Sequence, residues 1–208
     1  MNNKQLAELL LQSLEHEVGG VRIYEKAVTC AANDNLRKEW QKYLEQTRHH
    51  VDVLTRVCKA LKLDPEAETP GREVVRHTGA ALVAAMDMAL AANDPSAAQL
   101  VACECVVLAE TKDHADWELI GQCAKHSTGK EAQILRDAYE EIEGEEDSHL
   151  YHSKGWCREL WIESLGLDAV LPPPEEQLKV KTAIGAARAQ ASARADRPVG
   201  ATEPSSSL

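Results

Sequence analysis

The sequence predicts an all-α protein: a four-helix bundle made of two antiparallel helix pairs, joined by a long crossover that carries a helix of its own. Three observations predict it. Aromatic residues make up only 4% of the chain and Phe is absent, while Ala, Leu, Glu and Gln, all good helix formers, abound. Apolar residues recur at three- and four-residue spacing over stretches much longer than a strand. Short breaks rich in Asn, Asp, Pro and Gly separate those stretches.

The first helix is expected over residues 4–32, where Leu6, Leu10, Leu14, Val21, Tyr24 and Val28 share one stripe and Asn33-Asp34-Asn35 interrupts it. The second begins near Asp34, follows Leu36, Trp40, Tyr43, Leu54, Val57 and Leu61, and ends before Asp64-Pro65. So short a link makes the two an antiparallel pair. Two prolines and Gly71 fall within residues 64–72 and open the crossover. Its helix is expected over 73–92, with Met86 and Met88 in its packing, and it stops at Asn93-Asp94-Pro95. Asp94 then caps the next long helix, with Pro95 at the first position, where a preset φ helps and no amide donor is needed. That helix runs to about Ala124. The last begins after His126-Ser127-Thr128-Gly129 and continues to Leu165, with Gly166 as its stop. Residues 1–171 thus form one helical domain. Residues 172–208 open with Pro172-Pro173-Pro174 and are dominated at their end by Ala, Arg, Ser and Pro; a disordered tail is expected there. The alternative is a short helix around 175–195 that docks on the body or on another subunit.

A formal net charge of −11 argues against nucleic acid or an anionic membrane as partner and suits cations. Only Lys4 precedes a leucine run that Gln12, Glu15 and Glu17 break, so the N-terminus reads as neither a signal peptide nor a membrane span, and a cytoplasmic location is expected. The six cysteines (Cys30, Cys58, Cys103, Cys105, Cys123, Cys157) form no CxxC framework. They read as reduced core thiols rather than disulfides or soft-metal ligands.

Polar residues fall where leucines are expected. Glu146 and His149, three apart on one helix face, lie between Ile142 and Trp156, which turn that face toward the core. A charged group there must be paired or hold a metal. Glu17 lies on the Leu10–Leu14 stripe, two turns before Tyr24. Folding the first pair back near residue 33 puts Glu17 level with residue 50, within Glu45-Gln46-Thr47-Arg48-His49-His50. Folding the second pair about residue 128 carries Glu146 onto Glu110, on the stripe Cys103, Val107, Glu110, His114, Trp117. Carboxylates crowded at one level resist ionising together unless a cation lies between them, and a pair of divalent metals supplies it.

These residues resemble the ferritin-like superfamily, in the neighbourhood of bacterioferritin and rubrerythrin. Glu17-x6-Tyr24, Arg48-His49 and Glu146-x-x-His149 carry the resemblance, which covers roughly residues 4–165. It implies two iron or manganese ions, bound by one glutamate from each of two helices and a Glu-x-x-His pair from each of the others. By that resemblance Glu17 and Glu110 are the single carboxylates, Glu146 and His149 one pair, and His49 the other imidazole. Gln46 stands three before His49, where the family has a glutamate; Glu45, four before, is expected to take its place. The apolar line Trp40, Tyr43, Thr47, His50, Leu54 points instead to His50. Between the two, His49 with Glu45 is the expected pair.

Of the remaining residues, His114 reads as a ligand, as a hydrogen-bond partner of one, or as a satisfied core histidine. Glu104 and His152 reflect onto each other and form either a second polar layer or simple surface. His16, His77 and His126 read as surface groups. The implied activity is ferroxidase- or peroxidase-like chemistry with oxygen or peroxide, with electrons from ferrous iron or a donor protein. Tyr24 would then either pack with its hydroxyl bonded or carry a radical. A homo-oligomer fits the family, whereas the rubredoxin-like domain of rubrerythrin has no counterpart without a CxxC pair. A reading of another class also stands: a metal-free or weakly metallated bundle serving a structural or interaction role, its polar layer a hydrogen-bond network that sets helix register. Gln46 is the feature that favours it.

Overall fold

The computed structural model describes residues 2–173, so residues 174–208 of the expected tail lie outside the described part. Five helices follow in order: α1 (Asn3–Cys30), α2 (Asp34–Ala60), α3 (Pro70–Ala91), α4 (Pro95–His126) and α5 (Gly129–Ser164). No strand occurs among the described residues. α1 packs along α2 and α4 along α5, and contacts of α1 with α4 and of α2 with α5 close the four into a ring; α3 lies across α1 and α4.

Local chemistry fixes most of the boundaries. The side chains of Asn2, Asn33, Thr69 and Asp94 accept hydrogen bonds from the first free amides of α1 to α4, each worth about 1 kcal/mol. Gly166 takes φ 72° just beyond α5, the left-handed turn that ends a helix where a Cβ would be strained. α2 stops at Ala60, short of Asp64, as Lys62 turns left-handed at φ 62°. α3 begins at Pro70, three residues before the expected start. Thr69 is its cap and Pro70 its first residue, so the Pro-Gly pair opens the helix instead of breaking the chain. Gly71 sits where α3 crosses α1: a Cβ there would lie 2.1 Å from Gln12 Nε2 and from Glu8 Oε1. Met88, expected in the packing of this helix, projects outward, whereas Met86 is fully buried.

Two apolar clusters fill the bundle. One gathers Ile23, Tyr24, Trp40, Tyr43, Ala102, Val106 and Trp156 with Met86 of α3. The other gathers Leu10, Leu14, Val53, Leu54, Trp117, Ile120, Leu135 and Ile142. On each of the four ring helices the residues that could carry chemistry fall between the two clusters. All six cysteines are free thiols, with Cys30, Cys58, Cys103 and Cys105 buried as expected.

Candidate metal centre

Each of the four ring helices sends polar side chains to this middle level. Glu17 comes from α1, His50 from α2, Glu110 and Asp113 from α4, and Glu146 and His149 from α5; all six are buried. Their ligand atoms form two overlapping groups, His50 with Glu146 and His149, and Glu17 with Asp113 and Glu146, each drawn together within 4.8 Å. Glu146 belongs to both. His50 Nδ1 lies 2.9 Å from Glu146 Oε1 and 3.4 Å from Glu17 Oε1. His149 Nδ1 lies 3.6 Å from Glu146 Oε1 and 3.7 Å from Glu110 Oε2.

The atoms that face inward are unsatisfied. Glu17 Oε2, Glu110 Oε2, Asp113 Oδ1, both Glu146 oxygens and the Nδ1 atoms of His50 and His149 have no hydrogen-bond partner among the described residues. His50 Nδ1 and Glu146 Oε1, 2.9 Å apart, are nevertheless held together as an ion pair. At roughly 1–3 kcal/mol for each unpaired buried polar atom, these groups together rival a typical domain's total stability of about 5–15 kcal/mol. The His50–Glu146 ion pair and the protonation of buried carboxyls offset part of that cost.

The outward-facing atoms, by contrast, are held. Tyr24 donates its hydroxyl to Glu110 Oε1 at 2.7 Å, and Trp117 Nε1 donates to Glu17 Oε1 at 2.8 Å, so each carboxylate keeps one oxygen pinned and one free. His149 Nε2 meets the Gln46 side-chain oxygen at 3.1 Å, while the amide group of Gln46 bonds Glu145. An amide oxygen only accepts, so Nε2 of His149 carries the proton and Nδ1 presents its lone pair inward. His50 Nε2 likewise donates to Glu145 Oε2 at 2.9 Å. Outer partners of this kind are what fix a metal-binding imidazole in its tautomer and orientation.

Electrostatics reflect the crowding of buried carboxylates at this level. Burial, together with the Glu146 carboxylate, pushes Glu110 and Asp113 well above the usual carboxylate range. Burial and the Glu17 charge, partly offset by His50, raise Glu146 to about 7. Burial favours neutral His50, but Glu17 and then Glu145 and Glu146 outweigh it and hold the ring protonated. Burial, with the charge of His50, keeps His149 neutral. Protons stand where positive charge is required.

Two expected ligands are elsewhere. His49 is exposed and pairs with Glu141 at 2.9 Å, and Glu45 is exposed and pairs with Arg48. His50 takes the interior position because α2 follows its own apolar line, Trp40, Tyr43, Thr47, His50, Leu54, every member of which is buried. His114 stands outside the cluster, bonded to Asp147 at 3.0 Å. Glu104 and His152 do not meet: Glu104 accepts from Trp161 Nε1 at the surface, and His152 joins a separate layer. In that layer Tyr43 donates to Glu39, His152 Nδ1 lies 2.7 Å from the Tyr43 hydroxyl, and Trp156 Nε1 donates to Glu39 Oε2 at 2.8 Å. His16, expected at the surface, is partly buried, its Nε2 donating to the Ala109 carbonyl at 3.0 Å. His77 and His126 are exposed.

Sequence reasoning missed Asp113, Glu145 and Glu39. The first had a signal, since Glu110-x-x-Asp113 repeats on α4 the spacing of Glu146-x-x-His149 on α5. Comparison with protein-family models, with curated proteins and with solved structures gives no match to this chain.

Proposed function

We propose that this protein is a dimetal carboxylate protein of the ferritin-like kind, holding two iron or manganese ions between Glu17, His50, Glu110, Asp113, Glu146 and His149, and acting on oxygen or peroxide in a ferroxidase- or peroxidase-like way. The observation that carries the reading is the set of inward carboxylate and imidazole atoms left without hydrogen bonds at one level of the bundle. The donor set fits the group. Four carboxylates balance the charge of two divalent ions, and mixed carboxylate and imidazole ligation suits iron and manganese. Asp113, one turn from Glu110, supplies the fourth carboxylate that Gln46 does not.

The chain's own residues divide the work. Glu146, shared by both ligand groups, would help to hold both ions. Glu145 and Gln46 aim the two imidazoles, Tyr24 and Trp117 fix one oxygen each of Glu110 and Glu17, and the apolar clusters above and below keep bulk water out. On loading, Glu110, Asp113, Glu146 and His50 release the protons they hold, so uptake weakens as pH falls. When bound, iron or manganese supplies one-electron redox steps and open positions for oxygen or peroxide.

Elemental analysis of protein purified without added metal, followed by optical spectra of the Fe(II)-loaded protein on oxygen addition, tests the reading. About two ions per chain and an oxygen-dependent absorption change support it. Protein that stays empty after anaerobic Fe(II) addition overturns it and leaves the metal-free structural bundle.

A further inference from the structure

A cation has to cross the helix ring to reach six ligand residues that are all buried. Above and below them the two apolar clusters fill the interior, and an ion stripped of water does not pass through apolar packing at any acceptable cost. The route therefore lies between two helices. α3 packs against both α1 and α4 on one side of the ring, and on the other the α2–α5 seam is the most sparsely packed of the four among the described residues. A groove of about 140 Å³ opens that seam between Val53, Val57, Ile134 and Ala138. His49 and Glu141 meet across it at the surface, 2.9 Å apart.

One residue on that seam joins solvent to the buried set. Among the described residues, the side chains outside the six that hydrogen-bond to them are Tyr24, Trp117, Gln46 and Glu145. Tyr24 and Trp117 are buried, and Gln46 carries no charge. Glu145 alone combines charge with access: its side chain is 35% exposed, while its Oε2 lies 2.9 Å from Nε2 of His50, which has no exposure at all. On the far side of that ring, Nδ1 lies 2.9 Å from Oε1 of Glu146, the residue common to both ligand groups. Solvent, Glu145, His50 and Glu146 thus stand in line.

We infer, resting on the dimetal centre proposed above, that Glu145 is its entry carboxylate: divalent cations cross the ring between α2 and α5, are held first by Glu145 and pass from it to His50 and Glu146. A cation on Glu145 competes with the His50 Nε2–H for Oε2, and with that bond broken the imidazole is free to turn aside. A residue that only fixed the orientation of His50 would have a different kinetic signature. The charge of an entrance sets how fast ions arrive, and salt screens it. An outer hydrogen-bond partner sets how tightly they stay.

Stopped-flow uptake of Co(II) by the full-length metal-free protein, followed by the cobalt absorption bands at rising salt, separates the two, with release into excess chelator measured alongside. Glu145→Gln keeps an oxygen to accept from His50 but removes the charge. It should slow uptake several-fold and flatten its decline with salt, and change release far less. Uptake at the wild-type rate and salt dependence overturns the entry role, whatever happens to release. So does slowing by Asp147→Asn, beside His114 on the α4–α5 seam, with Glu145→Gln at the wild-type rate. Wild-type protein that takes up no Co(II) overturns the dimetal centre as well, whereas normal uptake indifferent to Glu145 sinks the route alone.

Discussion

Glu146 carries the greatest burden of any single residue here, because both groups of candidate ligands pass through it and neither of its oxygens has a hydrogen-bond partner among the described residues. Removing one partner of a buried cluster is costly only where the remainder is left unbalanced, and the metal-free cluster already holds an excess of carboxylate. Glu146→Gln should therefore lower bound metal from about two ions to at most one per chain, while the melting temperature of the metal-free protein stays level or rises. A fall in that temperature with metal content retained would assign Glu146 a packing role. The neighbours His49 and His50 separate register from resemblance. His50→Ala should abolish uptake at one position, and His49→Ala should leave the metal-to-protein ratio unchanged, as elemental analysis would report. Gln46 acts through His149, so Gln46→Ala should weaken metal binding by about 10–100-fold in a chelator competition without removing either position. The family spacing points to His49, whereas the apolar line of α2 carries His50. Buried helix faces follow their own period, and here the line was the better guide.

At the scale of elements, the link between α1 and α3 rests on Glu15. Its carboxylate, almost fully buried, meets Arg72 at 2.9 Å and Arg76 at 2.8 Å, and Arg72 also donates to the carbonyls of Pro65 and Ala67. Burial alone would raise the Glu15 pKa, but Arg76 and Arg72 outweigh it and hold it below the ordinary 4.5. A depressed carboxylate contributes stability that is present above the unfolded value and lost as pH falls through the folded one. Glu15→Gln, which leaves Arg72 buried without its counter-charge, should thus cost about 3–5 kcal/mol at neutral pH in a denaturant titration. The gap to the wild type should close below pH 4.5. The long helices were legible in the sequence because each carries a continuous apolar stripe between polar breaks. Three things were not. The start of α3 was hidden because Pro70-Gly71 reads equally as a break or as an opening turn. Glu15 was hidden because it faces a third element, which folding two helices back on each other cannot reach. Asp113 was hidden because reflecting Glu146 onto α4 stops at Glu110, one turn short.

For the whole molecule, two apolar clusters enclose one polar level, and each of the four ring helices contributes to that level at least one residue that sequence folding alone brings near it. This is the arrangement expected when a fold spends its interior on holding charge, since the same volume filled with leucine would be more stable. Where metal binds therefore matters more than how much. A crystal of Fe(II)-loaded protein, measured on both sides of the iron absorption edge, locates it directly. Two anomalous peaks about 3.5–4 Å apart are expected, both within ligand distance of Glu146, with His50 and His149 on one of them and Glu17 and Asp113 on the other. Anomalous density confined to surface carboxylates, with Glu146 bonded only to protein, would contradict it.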